Sequence, residues 1–391
     1  MSGRHFLFVP GPTNVPDRVL RAMHHAMEDH RSSAFPELSR AIFPGLKVVF
    51  GAVEGQAFVF TASGSAMWEA ALVNALSPGD RLLACRNGQF SHLFIDAAQR
   101  LGLVVDVIDV EWGEAVPAGQ IADRLRADGA HAYKGVLMVH NETATGVTSD
   151  VAAVRHAIDD SKHPALLFVD AVSSVGSLDF RFDEWNVDFA IAGSQKGFMM
   201  PAGLGILCVS KRGLALADQA RCARAFFDLR DMVKHNADGY FPYTPALSHL
   251  YGLREALVML QEEGMPNVAK RHHRLAEGVR RAVAAWGLSL CTKDPSTHSG
   301  TVSAIVVPEG KDARRVIDIA FRRYNLSLGA GLARLSGKVF RIGHVGDLNE
   351  LMLLGALSGV EMALNDAGIS VTAGSGVAAA QCWYRETAAA I

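Results

Sequence analysis

The residues best suited to chemistry in this chain are a lysine and an aspartate. Lys196 lies in Ala192-Gly193-Ser194-Gln195-Lys196-Gly197, just past an apolar run at 187–191. Asp170 closes another apolar run, 165–169, and leads into Ala171-Val172-Ser173-Ser174. An amine and a carboxylate at the ends of successive buried strands meet the needs of pyridoxal phosphate (PLP). The amine would condense with the aldehyde as a Schiff base. The carboxylate would keep the ring nitrogen protonated, so that the ring acts as an electron sink. Taken singly, each residue has a plainer reading: a solvated loop lysine and a helix N-cap. The assignment therefore rests on their surroundings.

Such a pair needs a scaffold that gathers strand ends. From about residue 57 to 210, short apolar runs alternate with helix-period segments. Strands are predicted at 57–62, 81–85, 104–110 and 135–140, each followed by a helix, at 66–76, 91–101, 120–128 and 151–160. Further strands are predicted at 165–169, 187–191 and 205–209. Apolar strands alternating with helices predict an α/β fold with a parallel sheet buried on both faces. Ligands bind beyond the carboxyl ends of such strands, where Lys196 and Asp170 fall. From about Leu247 the pattern is mainly helical, at 251–263 and 267–285. A smaller α/β unit follows: strand 301–307, helix 312–324, strand 339–342, helix 348–366. The domains expected are an extended arm (1–15), a large domain (16–264) and a small C-terminal domain (265–391), with the boundary at Gly264-Met265-Pro266.

Other segments at the same sheet edge carry candidate partners. Thr61-Ala62-Ser63-Gly64-Ser65-Ala66 joins a strand to a helix. Small residues there let backbone N–H groups and the helix dipole approach a phosphate, and the Ser63 and Ser65 hydroxyls can add hydrogen bonds. The same residues would also serve as an ordinary helix cap. Phe90, after the next strand, can stack on a pyridine ring or simply fill the core. Thr143, in His140-Asn141-Glu142-Thr143-Ala144-Thr145-Gly146, can bond the cofactor or close a turn. Arg341 sits between Phe340 and Ile342 in an apolar strand. A buried guanidinium needs an anionic partner, either a substrate carboxylate gripped by its planar fork or an internal ion pair.

Composition narrows the classes. The 391 residues carry a formal charge of −2, 49% hydrophobic residues and 37 glycines. Near-neutrality offers no argument for nucleic acid or an anionic membrane as partner. Five scattered cysteines (Cys85, Cys208, Cys222, Cys291, Cys382) indicate a reducing compartment, with no disulfide framework and no metal site. The opening residues lack signal-peptide character, and no run approaches about 18 apolar residues. The terminal Ala-Ala-Ile is no peroxisomal address. The expected location is the cytoplasm.

With these residues assembled, the chain resembles the alanine–glyoxylate and serine–glyoxylate aminotransferase group of class V, fold-type I PLP enzymes. The likeness is carried by 139–147, by Gly193-Ser194-Gln195-Lys196, by Tyr243-Thr244-Pro245, by 324–329 and by 337–346, and spans nearly the whole chain. It implies transfer of an amino group from a small amino acid, L-serine, to a 2-oxo acid, glyoxylate. It also implies a homodimer with shared active sites, in a one-carbon or serine-cycle setting. By that likeness Lys196 carries the cofactor and Asp170 holds its ring nitrogen. Ser63, Gly64, Ser65 and Gln195 hold the phosphate, Phe90 stacks, and Thr143 contacts the ring. Arg341 binds the substrate carboxylate, and Thr244 reaches in from the partner subunit. Two positions depart from the animal alanine–glyoxylate enzymes: Phe90 replaces a tryptophan, and Phe241, flanked by Tyr240 and Tyr243, falls where a tyrosine meets phosphate. The rivals are an alanine–glyoxylate enzyme, a cysteine desulfurase-like lyase, which needs a mobile reactive cysteine, and a non-catalytic binding protein, which would lack Lys196 or Asp170.

Overall fold

The structure, a computed structural model, describes residues 5–388. The first four residues of the expected arm and the terminal Ala-Ala-Ile lie outside the described residues.

The alternation of apolar runs and helical segments becomes a seven-stranded sheet between helical layers. Its strands run in the order Gln56–Thr61, Leu204–Val209, Phe189–Gly193, Leu166–Asp170, Tyr133–Val139, Arg81–Arg86 and Val104–Asp109. Every adjacent pair from Phe189–Gly193 to Val104–Asp109 is parallel. The strands at the centre are apolar throughout because both faces are covered. Leu167 and Val169 enter one core cluster, whereas Leu166 and Phe168 enter the cluster on the opposite face. Alternation along a strand sends successive side chains to opposite faces, so each face finds its own helical layer. The expected α/β class with a mainly parallel sheet is borne out.

One strand breaks the parallel rule. Leu204–Val209 pairs antiparallel with both Phe189–Gly193 and Gln56–Thr61. Only the turn after Gly193 separates it from its neighbour, which is too short for the crossover that a parallel pairing needs. Register at the centre is pinned by Asp188. Its carboxylate accepts from the Leu167 backbone N–H at 2.8 Å while its own N–H donates to the Leu167 carbonyl. Phe168 and Phe189 then stack with centroids 4.8 Å apart.

A five-stranded sheet forms in the order Phe6–Phe8, Leu326–Ala330, Val339–Gly343, Val302–Val306, Ser289–Leu290. It shares a core with the helices Met265–Ala285, Ala313–Tyr324, Glu350–Asp366 and Ser375–Glu386. The arm expected at 1–15 is therefore part strand: Phe6, Leu7 and Phe8 pair in parallel with Leu326, Ser327 and Leu328. Three helices of the larger sheet also start two residues before their predicted beginnings, at Gly64, Gln89 and Ala118.

Two histidines of this region are buried and neutral by construction. His272 donates through Nδ1 to the Val268 carbonyl (2.8 Å) and accepts at Nε2 from the Gly346 N–H (3.1 Å). His344 lies beside the Gly300 carbonyl (2.9 Å) and the Ser303 hydroxyl (3.1 Å). Burial pushes both from 6.5 down to about 3. Between those values the unfolded chain binds protons that the folded chain refuses. Stability is thus present above pH 6.5 and is lost as pH falls through the window toward 3. The melting temperature should drop steadily below about pH 6.5. In His344→Gln, the loss of unfolding free energy between pH 7.5 and 5.5 should shrink by about 1.4 kcal/mol, measured by denaturant titration.

Candidate active site

The parallel run of the strands places the ends at Thr61, Arg86, Val139, Asp170 and Gly193 on one edge. They open onto a cavity of about 250 Å³ lined by Ser65, Phe90, Thr143, Asp170, Gln195 and Lys196, among others. Six of the residues chosen from sequence are thus brought together. The arm closes one side, with Gly11 and Pro12 also in the wall.

Asp170 is 4% exposed. Its Oδ1 accepts from the Val172 N–H at 2.9 Å, and its Oδ2 from the Trp68 indole N–H at 2.8 Å. Burial pushes its carboxyl up to about 6, while these two donors and the charge of Lys196 pull the other way. Lys196 faces the cavity, and its amine donates to the Pro10 carbonyl. Enclosure lowers that amine to about 8. The charge of Arg341 contributes to that lowering, and Asp170 opposes it. An amine so placed is partly neutral near physiological pH and able to act as nucleophile or base.

Arg341 stands behind the wall, on Val339–Gly343, and is 7% exposed. Its Nε donates to the Ala330 carbonyl and its Nη1 to the Thr143 carbonyl, both at 2.9 Å. Burial lowers it to about 10, and Glu142 opposes that shift through its charge. Among the described residues Arg341 makes no ion pair, so the internal partner considered from sequence is not found.

Whether this edge fits a phosphate can be asked of its own atoms. Gln195 Oε1 is buried without a hydrogen-bond partner. A Cβ added at Gly193 would meet it at 2.8 Å and the Gly64 backbone nitrogen at 3.2 Å. Glycine there keeps the Gln195 amide beside the start of the helix Gly64–Val73. Ser63, the N-cap, is exposed and spends no side-chain bond on its own helix. Free helix-start N–H groups and uncommitted serine hydroxyls fit an anionic ligand of several oxygens, and the Gln195 amide adds a donor when its NH2 end is turned toward the helix start. Ser63 and Gly64 thus border the cavity without lining it.

Thr244 is not brought to this cavity. It is exposed, in a separate hollow with Phe241 and Tyr243, and the nearby Ala246 N–H donates to Thr61 Oγ1 at 3.1 Å. Tyr243 stacks on Phe226, Tyr240 donates to the Ser32 carbonyl, and Phe241 packs on Phe35 and Phe43. The Lys196 cavity takes no cysteine into its lining.

Sequence reasoning passed over three features of the site. Trp68 reads as a core aromatic of an apolar helix, and its N–H reveals nothing until Asp170 is opposite. Glu142 sits in a segment singled out for Thr143, yet it is fully buried. Asn141 and Ser173 also line the cavity, their side chains bonded at 2.8 Å.

Comparison with known proteins decides the family. The model of the class V aminotransferases matches residues 5–333. The chain belongs to the class V aminotransferase family. It is 60% identical to the serine–glyoxylate aminotransferase of Methylorubrum extorquens, over 98% of this chain and 97% of that one. It is 49% identical to the L-aspartate–glyoxylate aminotransferase of Paracoccus denitrificans, over 100% and 98%. Among solved structures, the ureidoglycine–glyoxylate aminotransferase of Bacillus subtilis superposes with a TM-score of 0.91 at 27% identity, covering 98% of this chain and 99% of that one. Membership in this aminotransferase family implies PLP as cofactor.

Trp68→Phe should keep the stack on Phe94 (5.5 Å) but lose the hydrogen bond to Asp170. The ionised carboxylate is then less favoured. The acid limb of the rate profile should move to higher pH, and kcat should fall by about ten-fold, the worth of one bond to a charged group. Steady-state rates across pH test this. An unchanged profile would leave Trp68 a packing residue.

Proposed function

We propose that this protein transfers the amino group of L-serine to glyoxylate, giving hydroxypyruvate and glycine, with PLP as cofactor. The near-full-length identity of 60% to a serine–glyoxylate aminotransferase carries the choice of substrates. The meeting of Lys196 and Asp170 at one sheet edge, with Arg341 brought up behind the cavity wall from the five-stranded sheet, supports the chemistry.

When bound, PLP supplies an aldehyde that takes up the amino group and a ring that accepts electrons from the substrate α-carbon. Lys196 would hold that aldehyde. Once displaced by substrate, its amine would move the α-proton as general base, a role suited to a group near pKa 8. Asp170 would face the ring nitrogen and keep its proton. Gln195, the Ser63 and Ser65 hydroxyls and the N–H groups from Gly64 onward would hold the phosphate, while Phe90 and Thr143 would flank the ring. Arg341 would orient the carboxylate common to serine and glyoxylate. The cycle then runs as two half-reactions at one site.

We place Thr244 in the partner's site of a homodimer, a reading supported by its exposure away from its own cavity. The arm (1–15), the division at residue 264 and the cytoplasmic setting in one-carbon metabolism belong to the same proposal. Among the described residues, no helix is long and apolar enough to cross a membrane.

The 49% identical aspartate enzyme favours a second reading, L-aspartate as donor. Initial rates with serine, alanine and aspartate, against glyoxylate and pyruvate, separate them. Serine with glyoxylate should have the highest kcat/KM; a higher value for another donor would replace serine in the proposal.

Arg341→Lys tests the carboxylate contact. Lysine cannot reproduce the two-pronged grip. The kcat/KM values for serine and glyoxylate should fall together by roughly 30- to 1000-fold, the worth of about 2–4 kcal/mol. The visible band of the bound cofactor should hardly move. Values within about three-fold of the parent, with a lowered melting temperature, would make Arg341 structural.

A further inference from the structure

Glu142 is a fully buried carboxylate that no step above uses. It lies on the short strand Asn141–Glu142, just past the end of Tyr133–Val139. Its two oxygens face two different segments. Oε2 accepts from the Phe90 and Ser91 backbone N–H groups, each at 3.0 Å, at the start of the helix Gln89–Arg100. Oε1 accepts from the Ala144 N–H at 3.0 Å, in the turn that follows Thr143. The Thr143 carbonyl is in turn the seat of Arg341 Nη1.

Space has been cleared for this side chain. A Cβ at Gly88 would lie 2.2 Å from Glu142 Cγ and 2.3 Å from its Cδ. Gly88 has an extended backbone (φ −178°), so glycine answers a need for room and not for an unusual dihedral. Two residues later, Phe90 stands in the cavity wall. A single side chain therefore joins the wall on one side to the support of the guanidinium on the other.

We propose that Glu142 is a positioning residue, an acceptor-only carboxylate that holds Phe90 and Thr143 in register so that Arg341 is aimed at the substrate carboxylate. This rests on the reading of Arg341 as carboxylate binder. A neutral amide could not do the same. Glutamine offers one acceptor oxygen, and its NH2 end would confront the N–H groups of one segment or the other. Either the start of the Phe90 helix or the Thr143 turn would lose its anchor. A buried N–H left without an acceptor drives local rearrangement rather than a uniform loss of stability.

The test uses the cofactor-loaded protein and glycolate, a carboxylate that cannot be transaminated. Glycolate affinity is measured by calorimetric titration, the ring environment by visible circular dichroism, and the fold by melting temperature. Glu142→Gln should remain folded, change the visible dichroism and bind glycolate about ten-fold or more weakly. KM for serine and glyoxylate should rise by a similar factor, with a smaller change in kcat. Gly88→Ala, which pushes the carboxylate from its seat without altering charge, should act in the same direction. It decides the matter if Glu142→Gln does not fold.

Unchanged glycolate affinity and dichroism in Glu142→Gln, with only a lower melting temperature, would reduce Glu142 to a helix cap and overturn the proposal. So would unchanged glycolate affinity in Gly88→Ala when that variant alone folds. Failure of the underlying reading looks different: Arg341→Lys would then bind glycolate as the parent does, and the proposal would fall with it. Donor identity does not enter, because glycolate is not a donor.

Discussion

Four ionisable groups around one cavity are kept from bulk water, two cationic and two anionic. Asp170, Glu142 and Arg341 are buried, and Lys196 opens only to the cavity. Burial pushes every one of them toward its neutral form: the carboxyls up to about 6 and 7, the amine down to about 8, the guanidinium down to about 10. Isolated charges in such a place would be prohibitive, and each is held by opposite charge and by backbone dipoles. The remaining architecture follows from that constraint. Only the ends of buried parallel strands, with helices starting beside them, offer enough free N–H groups and rigid carbonyls to hold such a set.

The same balance explains why the site is reactive instead of merely stable. A lysine drawn down toward neutrality is a usable base, and an aspartate with two donors retains charge despite its burial. Arg341 completes the pattern from the other sheet. Its two bonds to backbone carbonyls orient the guanidinium without cancelling its charge, as a carboxylate partner would have done. A guanidinium held in this way keeps its charge available to an anion, with no internal ion pair among the described residues.

Much of this was legible from the chain. Lys196 and Asp170 stand out because strand-like apolar runs stop at them and small residues follow, a pattern that follows from backbone geometry. The sheet was legible because burial on both faces removes polar residues from its strands. The direction of Leu204–Val209 depended on the length of its connection, which the apolar pattern does not express. Trp68 and Glu142 were hidden for another reason. Each does its work through a hydrogen bond to a residue distant in sequence, Asp170 in one case and Phe90 in the other. No local periodicity records such partners. Thr244 illustrates the converse: its motif is conspicuous, yet its place in the fold leaves it outside the cavity.

The pairing of Phe6–Phe8 with Leu326–Leu328 bears on the order in which the molecule is made. The strand Phe6–Phe8 has a partner that is synthesised more than 300 residues later. Until then the opening residues have no sheet to join, while the strands from Gln56 to Val209 already hold all their partners. The larger sheet can close during synthesis, but the arm must wait. Because Gly11 and Pro12 of that arm form part of the cavity wall, and Pro10 meets Lys196, the chamber is completed only after the larger sheet. A nascent chain stalled before residue 326 would carry Lys196 and Asp170 in a completed sheet, yet with one wall of the chamber missing.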